Sequence, residues 1–184
     1  MSKVNSENTY KEEFFEILKE VEDTYYTSSE KNTLRTFIES YEPAKDFDCI
    51  KFKGNGKNGS ELIDESQPFR DKIAVFICLY SDINLPAIIL RDMIQEIGKQ
   101  SIASWGAPEY LFVLSEKMLE MSNAKYIETF GETLFASMDT YGSCISMDYS
   151  NIDVPKILEE LNSKKEKNKM ILDLIEYFEA RNSA

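Results

Sequence analysis

Two similar stretches bring tyrosines and carboxylates together in the second half of the chain. Ser137–Tyr141 reads Ser-Met-Asp-Thr-Tyr, and Ser146–Ser150 reads Ser-Met-Asp-Tyr-Ser. Tyrosine offers a large contact surface with one hydroxyl group, and loop carboxylates attract positive charge. We therefore predict a partner-binding loop over residues 139–151, although these side chains could simply cover helix ends and form turns. The predicted contact residues are Asp139, Tyr141, Asp148, Tyr149 and Asp153.

A second acidic cluster surrounds a glycine-rich turn. Residues 48–53 alternate polar and apolar side chains, and residues 54–60 read Gly-Asn-Gly-Lys-Asn-Gly-Ser. This pattern predicts a small β-hairpin with a flexible tip, inside an insertion that spans residues 45–66. A phosphate-binding loop does not fit, because Lys57 is followed by Asn58 and not by serine or threonine. A solvated surface is the simpler interpretation of the acids. The predicted contact residues here are Asp46, Asp48, Glu61, Asp64 and Glu65.

The chain contains no histidine, and this absence excludes several kinds of catalytic site. Ser-His-Asp and Cys-His nucleophiles, histidine-ligated haem and most zinc sites all require an imidazole. Glu13, Glu16 and Glu20 lie at helical spacing, but a di-iron site in a helical bundle would need Glu-x-x-His. The three cysteines are scattered and form no Cys-x-x-Cys pair. We therefore predict no catalytic residue, no metal ligand and no cofactor.

The charge balance indicates the chemistry of the partner. The 184 residues include 33 acidic and 21 basic side chains, which gives a formal net charge of −12 at pH 7. Nucleic-acid binding depends on lysines and arginines at the phosphates, so this charge argues against a nucleic-acid ligand. An acidic chain instead suits a basic protein partner, because opposite charges speed association.

We expect neither a targeting segment nor a membrane span. Residues 1–7 contain no apolar stretch of the kind that a signal peptide needs. The most apolar region, Ile73–Ile94, is interrupted by polar and charged residues and a proline, whereas a span needs about 20 mostly apolar residues. Scattered cysteines favour a reducing compartment. The expectation is a cytoplasmic protein that does not contact a membrane, and its oligomeric state stays open.

Helical periodicity dominates the rest of the chain. In the first segment, Phe14 and Ile17 belong to one apolar stripe that lies opposite acidic residues. Gly98 is expected to close the fourth helix, and Asp153 is expected to cap the seventh. Short links place successive helices antiparallel. We therefore predict an all-α fold, an irregular antiparallel array of about eight helices with one small β-hairpin, as a single domain over residues 1–184.

A small, acidic, largely helical chain without a catalytic motif resembles bacterial immunity proteins of contact-dependent inhibition and other interbacterial toxin systems. The resemblance concerns size, charge and helix content, and it assigns no role to an individual residue. It implies a protein that neutralises a basic toxin domain, such as a nuclease, by occluding its active site. Two alternatives stay open: a helical regulatory module that binds a peptide or partner helix, and a carboxylate-based, metal-dependent enzyme.

Overall fold

The computed structural model describes the backbone of residues 4–182, and the side chains of residues 10–182 except positions 21, 23 and 25. These residues form ten α-helices and two short 3-10 helices. The α-helices span Val4–Tyr25 (α1), Ser28–Glu39 (α2), Pro43–Ile50 (α3), Gln67–Leu79 (α4), Ala87–Ser104 (α5), Leu111–Ser122 (α6), Ile127–Leu134 (α7), Met138–Ile145 (α8), Val154–Ser163 (α9) and Lys169–Asn182 (α10). The 3-10 helices are Gly59–Glu61 and Asn123–Tyr126. The all-α prediction is confirmed.

The β-hairpin prediction is wrong, because residues 4–182 contain only an isolated antiparallel bridge between Gly54 and Asp64. Helix α3 occupies the first half of the alternating stretch. Pro43 stands at the start of that helix, where its missing N–H removes no helical hydrogen bond. Further along, two backbone amides that would donate to the carbonyl groups of a neighbouring strand donate to side-chain carboxylates instead. The Phe52 amide donates to Glu96 Oε2 at 2.8 Å, and the Lys53 amide donates to Asp64 Oδ1 at 2.9 Å.

The predicted loop over residues 139–151 is also wrong in its first half, because α8 begins at Met138. Ser137 is the N-cap of this helix: its side chain accepts from the Thr140 amide, and the Thr140 hydroxyl accepts from the Ser137 amide. Only the residues between Ile145 and α9 are irregular. The described residues thus form two more α-helices than the eight that periodicity predicted. The two additional helices are α3 and α8, and they occupy the segments predicted as a hairpin and a loop.

Helices α4, α5 and α6 supply much of the hydrophobic core, which extends from Phe14 to Phe178. Phe14 packs edge-on against Phe112 at 5.3 Å between ring centres. Ile17, predicted on the same buried stripe, is instead 57% exposed. The buried face of α1 is therefore narrower than the apolar stripe in its sequence, because the core contacts only one side of this helix.

Gly98 does not end a helix as predicted, since α5 continues through it to Ser104. A Cβ atom at Gly98 would lie 2.9 Å from Thr133 Oγ1, so glycine allows α5 and α7 to approach closely. The Thr133 hydroxyl donates to the Ile94 carbonyl at 3.1 Å across this contact. Helix α5 ends where Trp105 takes a left-handed conformation with φ of 59°.

Candidate protein-binding surface

Helix α8 presents an apolar face that the rest of the described structure leaves open. Met138, Gly142 and Ile145 share this face at helical spacing, and the side chains of Met138 and Ile145 are 84% and 47% exposed. Phe135 lies just before the helix and stacks on Tyr141 at 6.4 Å between ring centres. We call the face the α8 surface. It consists of Phe135, Met138, Asp139, Gly142 and Ile145.

The surroundings of the α8 surface are acidic and contain no compensating base in sequence. Residues 126–155 include five carboxylates but neither lysine nor arginine. All five carboxylates are exposed, and among the described side chains only Glu128 forms an ion pair, with Lys164 at 2.7 Å. The five are Glu128, Glu132, Asp139, Asp148 and Asp153. The segment therefore combines exposed apolar side chains with five carboxylates, and the bases near it come from other elements: Lys164 pairs with Glu128, and the Arg181 guanidinium carbon lies 5.2 Å from the centre of the Tyr149 ring.

Tyr141 and Tyr149, predicted as partner anchors, support α8 from behind. The Tyr149 hydroxyl lies 2.5 Å from the Tyr177 hydroxyl, which also donates to the Cys144 carbonyl at 3.3 Å. Burial raises the pKa of Tyr149 to about 12. Tyr141 packs edge-on against Tyr177 at 6.0 Å. These rings join α8 and the segment after it to α10, which makes the α8 surface a preformed platform.

Asp148 combines an anchored backbone with an exposed carboxylate. Its amide donates to Glu116 Oε1 at 2.6 Å, and Glu116 also accepts from Lys11 Nζ at 2.7 Å. Burial raises the pKa of Glu116, while the two hydrogen bonds oppose that effect. The Asp148 side chain accepts from the Ser150 amide at 2.9 Å, which lowers its pKa. Asp148 therefore remains negatively charged beside the α8 surface.

Asp153 caps α9, as its sequence position predicted. Its carboxylate accepts from the Lys156 amide at 3.1 Å. The residue is exposed, so the cap does not hide the charge from a partner. Asp139, Asp148 and Asp153 are thus all on the surface, within one segment that runs from α8 to the start of α9.

The second predicted cluster is divided between surface ion pairs and a buried pair. The Asp46 carboxylate accepts from the Glu42 amide at 2.8 Å at the start of α3. Asp48 pairs with Lys53 at 2.9 Å, which lowers the pKa of Asp48, and Glu61 pairs with Lys57 at 2.9 Å. Glu65 is exposed. Neighbouring lysines therefore neutralise much of this cluster, in contrast to the segment around α8.

Asp64 lies inside the protein and is not available to a partner. Its carboxylate pairs with Arg70, which is completely buried, and also accepts from the amides of Lys53 and Ser66. Arg70 further donates to Gln100 Oε1 at 2.7 Å and to the Ile50 carbonyl at 3.0 Å. Asp64 therefore holds the loop after α3 against α5.

Several exposed apolar residues were missed by sequence reasoning. Met138 and Ile145 could have been found by interpreting residues 138–145 as a capped helix, in which Met138, Gly142 and Ile145 follow each other at intervals of four and three residues. Phe135 precedes that helix, and the sequence carries no local signal for its exposure. Trp105 is 73% exposed at the end of α5, and its ring rests on the Gly59 backbone. Trp105 is the only tryptophan in the sequence and directly precedes Gly106, and its exposure depends on where α5 ends.

The described residues contain no group of three or more potential ligands that could hold a metal ion. In the same part of the chain, every helix is too short or too polar to cross a bilayer. Comparison with protein-family models, curated proteins and solved structures gives no match for this chain.

Proposed function

We propose that this chain is a binding protein whose α8 surface docks onto a basic protein. The observation that carries the proposal is the exposed face of Met138, Gly142 and Ile145 inside residues 126–155, which hold five exposed carboxylates and no base. An apolar patch supplies the area that a partner can bury, and the surrounding acids select a partner of opposite charge. Support from Tyr141 and Tyr149 lowers the entropy cost of binding, since the platform is already ordered.

Inhibition of a basic enzyme is the form of this activity that we propose. A nuclease carries a basic groove because its substrate is a polyanion. An acidic protein that enters the groove competes with the nucleic acid for the same cations. In this proposal, Asp139 and Asp148 meet lysines or arginines of such a groove, while Met138 fills an apolar pocket at its edge. The chain would then act as the immunity component of a toxin system.

The test uses the purified product of the gene adjacent to this one, with its affinity measured by calorimetry. The double variant Met138→Asp/Asp139→Lys should weaken the complex by about thirtyfold or more, as loss of an interface hot spot does. It should also relieve inhibition of that protein's nuclease activity. The matched control is Glu16→Lys/Ile17→Asp, which makes the same two changes at exposed positions of α1.

Both double variants change the formal net charge from −12 to −11, so a difference between them reports location and not total charge. Circular dichroism and thermal unfolding establish that each variant is folded. Absence of any complex at low salt, or equal weakening by both variants, would contradict the proposal.

A helical module for an apolar partner is the second candidate function, and one observation favours it. Ile102 and Trp105 are both exposed and lie one turn apart at the end of α5. If this face is the contact, Trp105→Ala should weaken the complex while Met138→Asp/Asp139→Lys leaves it unchanged. Fluorescence of Trp105, the only tryptophan, should then shift to shorter wavelength on binding.

A further inference from the structure

A cleft between two elements carries positive charge in this otherwise acidic protein. Its volume is about 450 Å³. The 3-10 helix Asn123–Tyr126 and the start of α7 form one wall, and α9 forms the other wall. This volume is in the range of roughly 300–1,000 Å³ that small-molecule sites occupy. None of the residues of the α8 surface lines the cleft. It is therefore a separate feature from the proposed docking face.

Three lysines converge on the cleft from both sides. Lys125 comes from the 3-10 helix, Lys156 comes from the first turn of α9, and Lys164 directly follows the last residue of α9. Among the described carboxylates, none is within ion-pair distance of Lys125 or Lys156. Two ammonium groups are therefore open to an anion from solution, although the whole chain carries a net charge of −12.

The third lysine shows what kind of group the cleft accepts. Lys164 Nζ lies 2.7 Å from Glu128 Oε1, and the Glu128 side chain is 58% exposed. A carboxylate thus already occupies the position next to Lys164, and its exposure allows it to turn toward water when another anion enters. Glu160 also lines the cleft, so the lining residues carry three positive and two negative charges.

An aromatic ring stands beside these cations. Tyr126 lines the cleft, with Lys125 Nζ at 5.0 Å and the Arg91 guanidinium carbon at 5.8 Å from its ring centre. Arg91 is paired with Asp92 at 2.5 Å, so it adds little net charge to the cleft. The ring gives the cleft a flat apolar wall, and planar groups of a ligand pack well on such a wall.

We infer that this cleft binds a small molecule that carries a diphosphate group. Lys156 is in the first turn of α9 and Lys164 follows its last residue, so the two are separated by about 12 Å along the helix axis, because each residue of a helix advances 1.5 Å. Their flexible side chains can hold two neighbouring phosphoryl groups, while Lys125 closes on them from the opposite side.

The test titrates the full chain with inorganic pyrophosphate and with ADP, at constant low ionic strength, by calorimetry. Both probes should bind with a dissociation constant in the micromolar range, and Lys156→Glu should weaken each by at least tenfold. The matched control is Lys165→Glu, which reverses an exposed lysine next to Lys164 but outside the cleft. Glutamate at position 156 suits the first turn of α9, so this variant should fold.

Two results would overturn the inference. One is the absence of binding heat and of any change in tyrosine fluorescence when either probe is added at millimolar concentration. The other is equal weakening by Lys156→Glu and Lys165→Glu, because that result would describe general attraction to lysines and not a built site. Neither result would bear on the α8 surface, which is tested with a protein partner.

Discussion

Arg70 is completely buried, and its charge is balanced inside the protein by Asp64. The guanidinium also donates to a side-chain oxygen of Gln100 and to the Ile50 carbonyl. These bonds join α4, α5 and the end of α3. A buried pair of this kind contributes little when compared with an apolar pair, but removal of one partner leaves an uncompensated charge in the interior.

Arg70→Leu should therefore lower the free energy of unfolding by about 3–5 kcal/mol, since Asp64 would remain buried without its partner. Urea denaturation measures this loss. Arg35→Leu is the matched control, because it removes a surface pair with Asp82 at 3.1 Å and should cost at most about 1 kcal/mol. A loss at Arg70 no larger than the loss at Arg35 would show that the buried pair does not hold the loop.

Ionisation of the Tyr149 hydroxyl should make the free energy of unfolding depend on pH in the alkaline range. Burial raises its folded-state pKa to about 12, above the value near 10 that an unfolded tyrosine has. The neutral hydroxyl is therefore favoured in the folded protein. Its contribution to stability is complete below about pH 10 and disappears as the pH rises toward 12.

The free energy of unfolding should accordingly fall between about pH 10 and pH 12, and Tyr149→Phe should reduce the size of that fall. Urea denaturation at several alkaline pH values gives the comparison, and tyrosinate absorbance reports the ionisation directly. A phenylalanine variant whose stability declines as steeply as that of the unaltered protein would contradict this assignment.

At the scale of elements, α8 depends on its first turn. A helix of eight residues is too short to be stable on its own, so its cap and its packing decide whether it forms. Ser137 and Thr140 satisfy each other's backbone amides at this end. Packing of Tyr141 and Cys144 against α10 and α6 secures the other side of the helix.

Ser137→Ala should destabilise α8 by about 1 kcal/mol, because the Thr140 amide loses its acceptor. Hydrogen exchange of the α8 amides should become faster, and affinity for the partner should decrease. Thr27→Ala removes the corresponding cap of α2 and serves as the control, since Thr27 also forms a capping box. If the two variants affected α8 exchange equally, the effect would be global and the cap of α8 would not be the cause.

At the scale of the whole molecule, the net charge of −12 acts at long range. It should steer a basic partner toward the protein and raise the association rate, an effect that salt screens. By contrast, the proposed apolar contacts of Met138 and Ile145 with a partner would act only after the two proteins meet, and they should govern dissociation.

The association rate with a basic partner should therefore fall about tenfold or more from low to physiological ionic strength, with a smaller change in the dissociation rate. Stopped-flow or surface-based kinetics at several salt concentrations measures both. The Glu16→Lys/Ile17→Asp variant should change the association rate only slightly. A rate of association independent of salt would remove the charge argument while leaving the apolar contact in place.

The sequence alone determined the class of the fold and some local details. Apolar periodicity predicted eight of the helices, because a long amphipathic pattern is a strong signal over several turns. Asp153 was correctly predicted as a helix cap, since an N-cap depends on residues only three positions away. The missing histidine and the negative charge are likewise properties of composition, and no packing changes them.

The tertiary structure decided the form of the two segments in which the sequence predicted partner contacts. Helices α3 and α8 are each eight residues long, and their local signals are weak because short helices need partners. Asp64 is a buried partner of Arg70, and Gly98 allows α5 to lie close to Thr133 of α7. Both roles depend on contacts that a local sequence pattern does not show. The exposure of Met138 follows in the same way, since it depends on which face of α8 the tyrosines of α10 and its neighbours cover. A local sequence pattern contains no information about such contacts. They decide whether a carboxylate is exposed on the surface or is buried and holds the structure together.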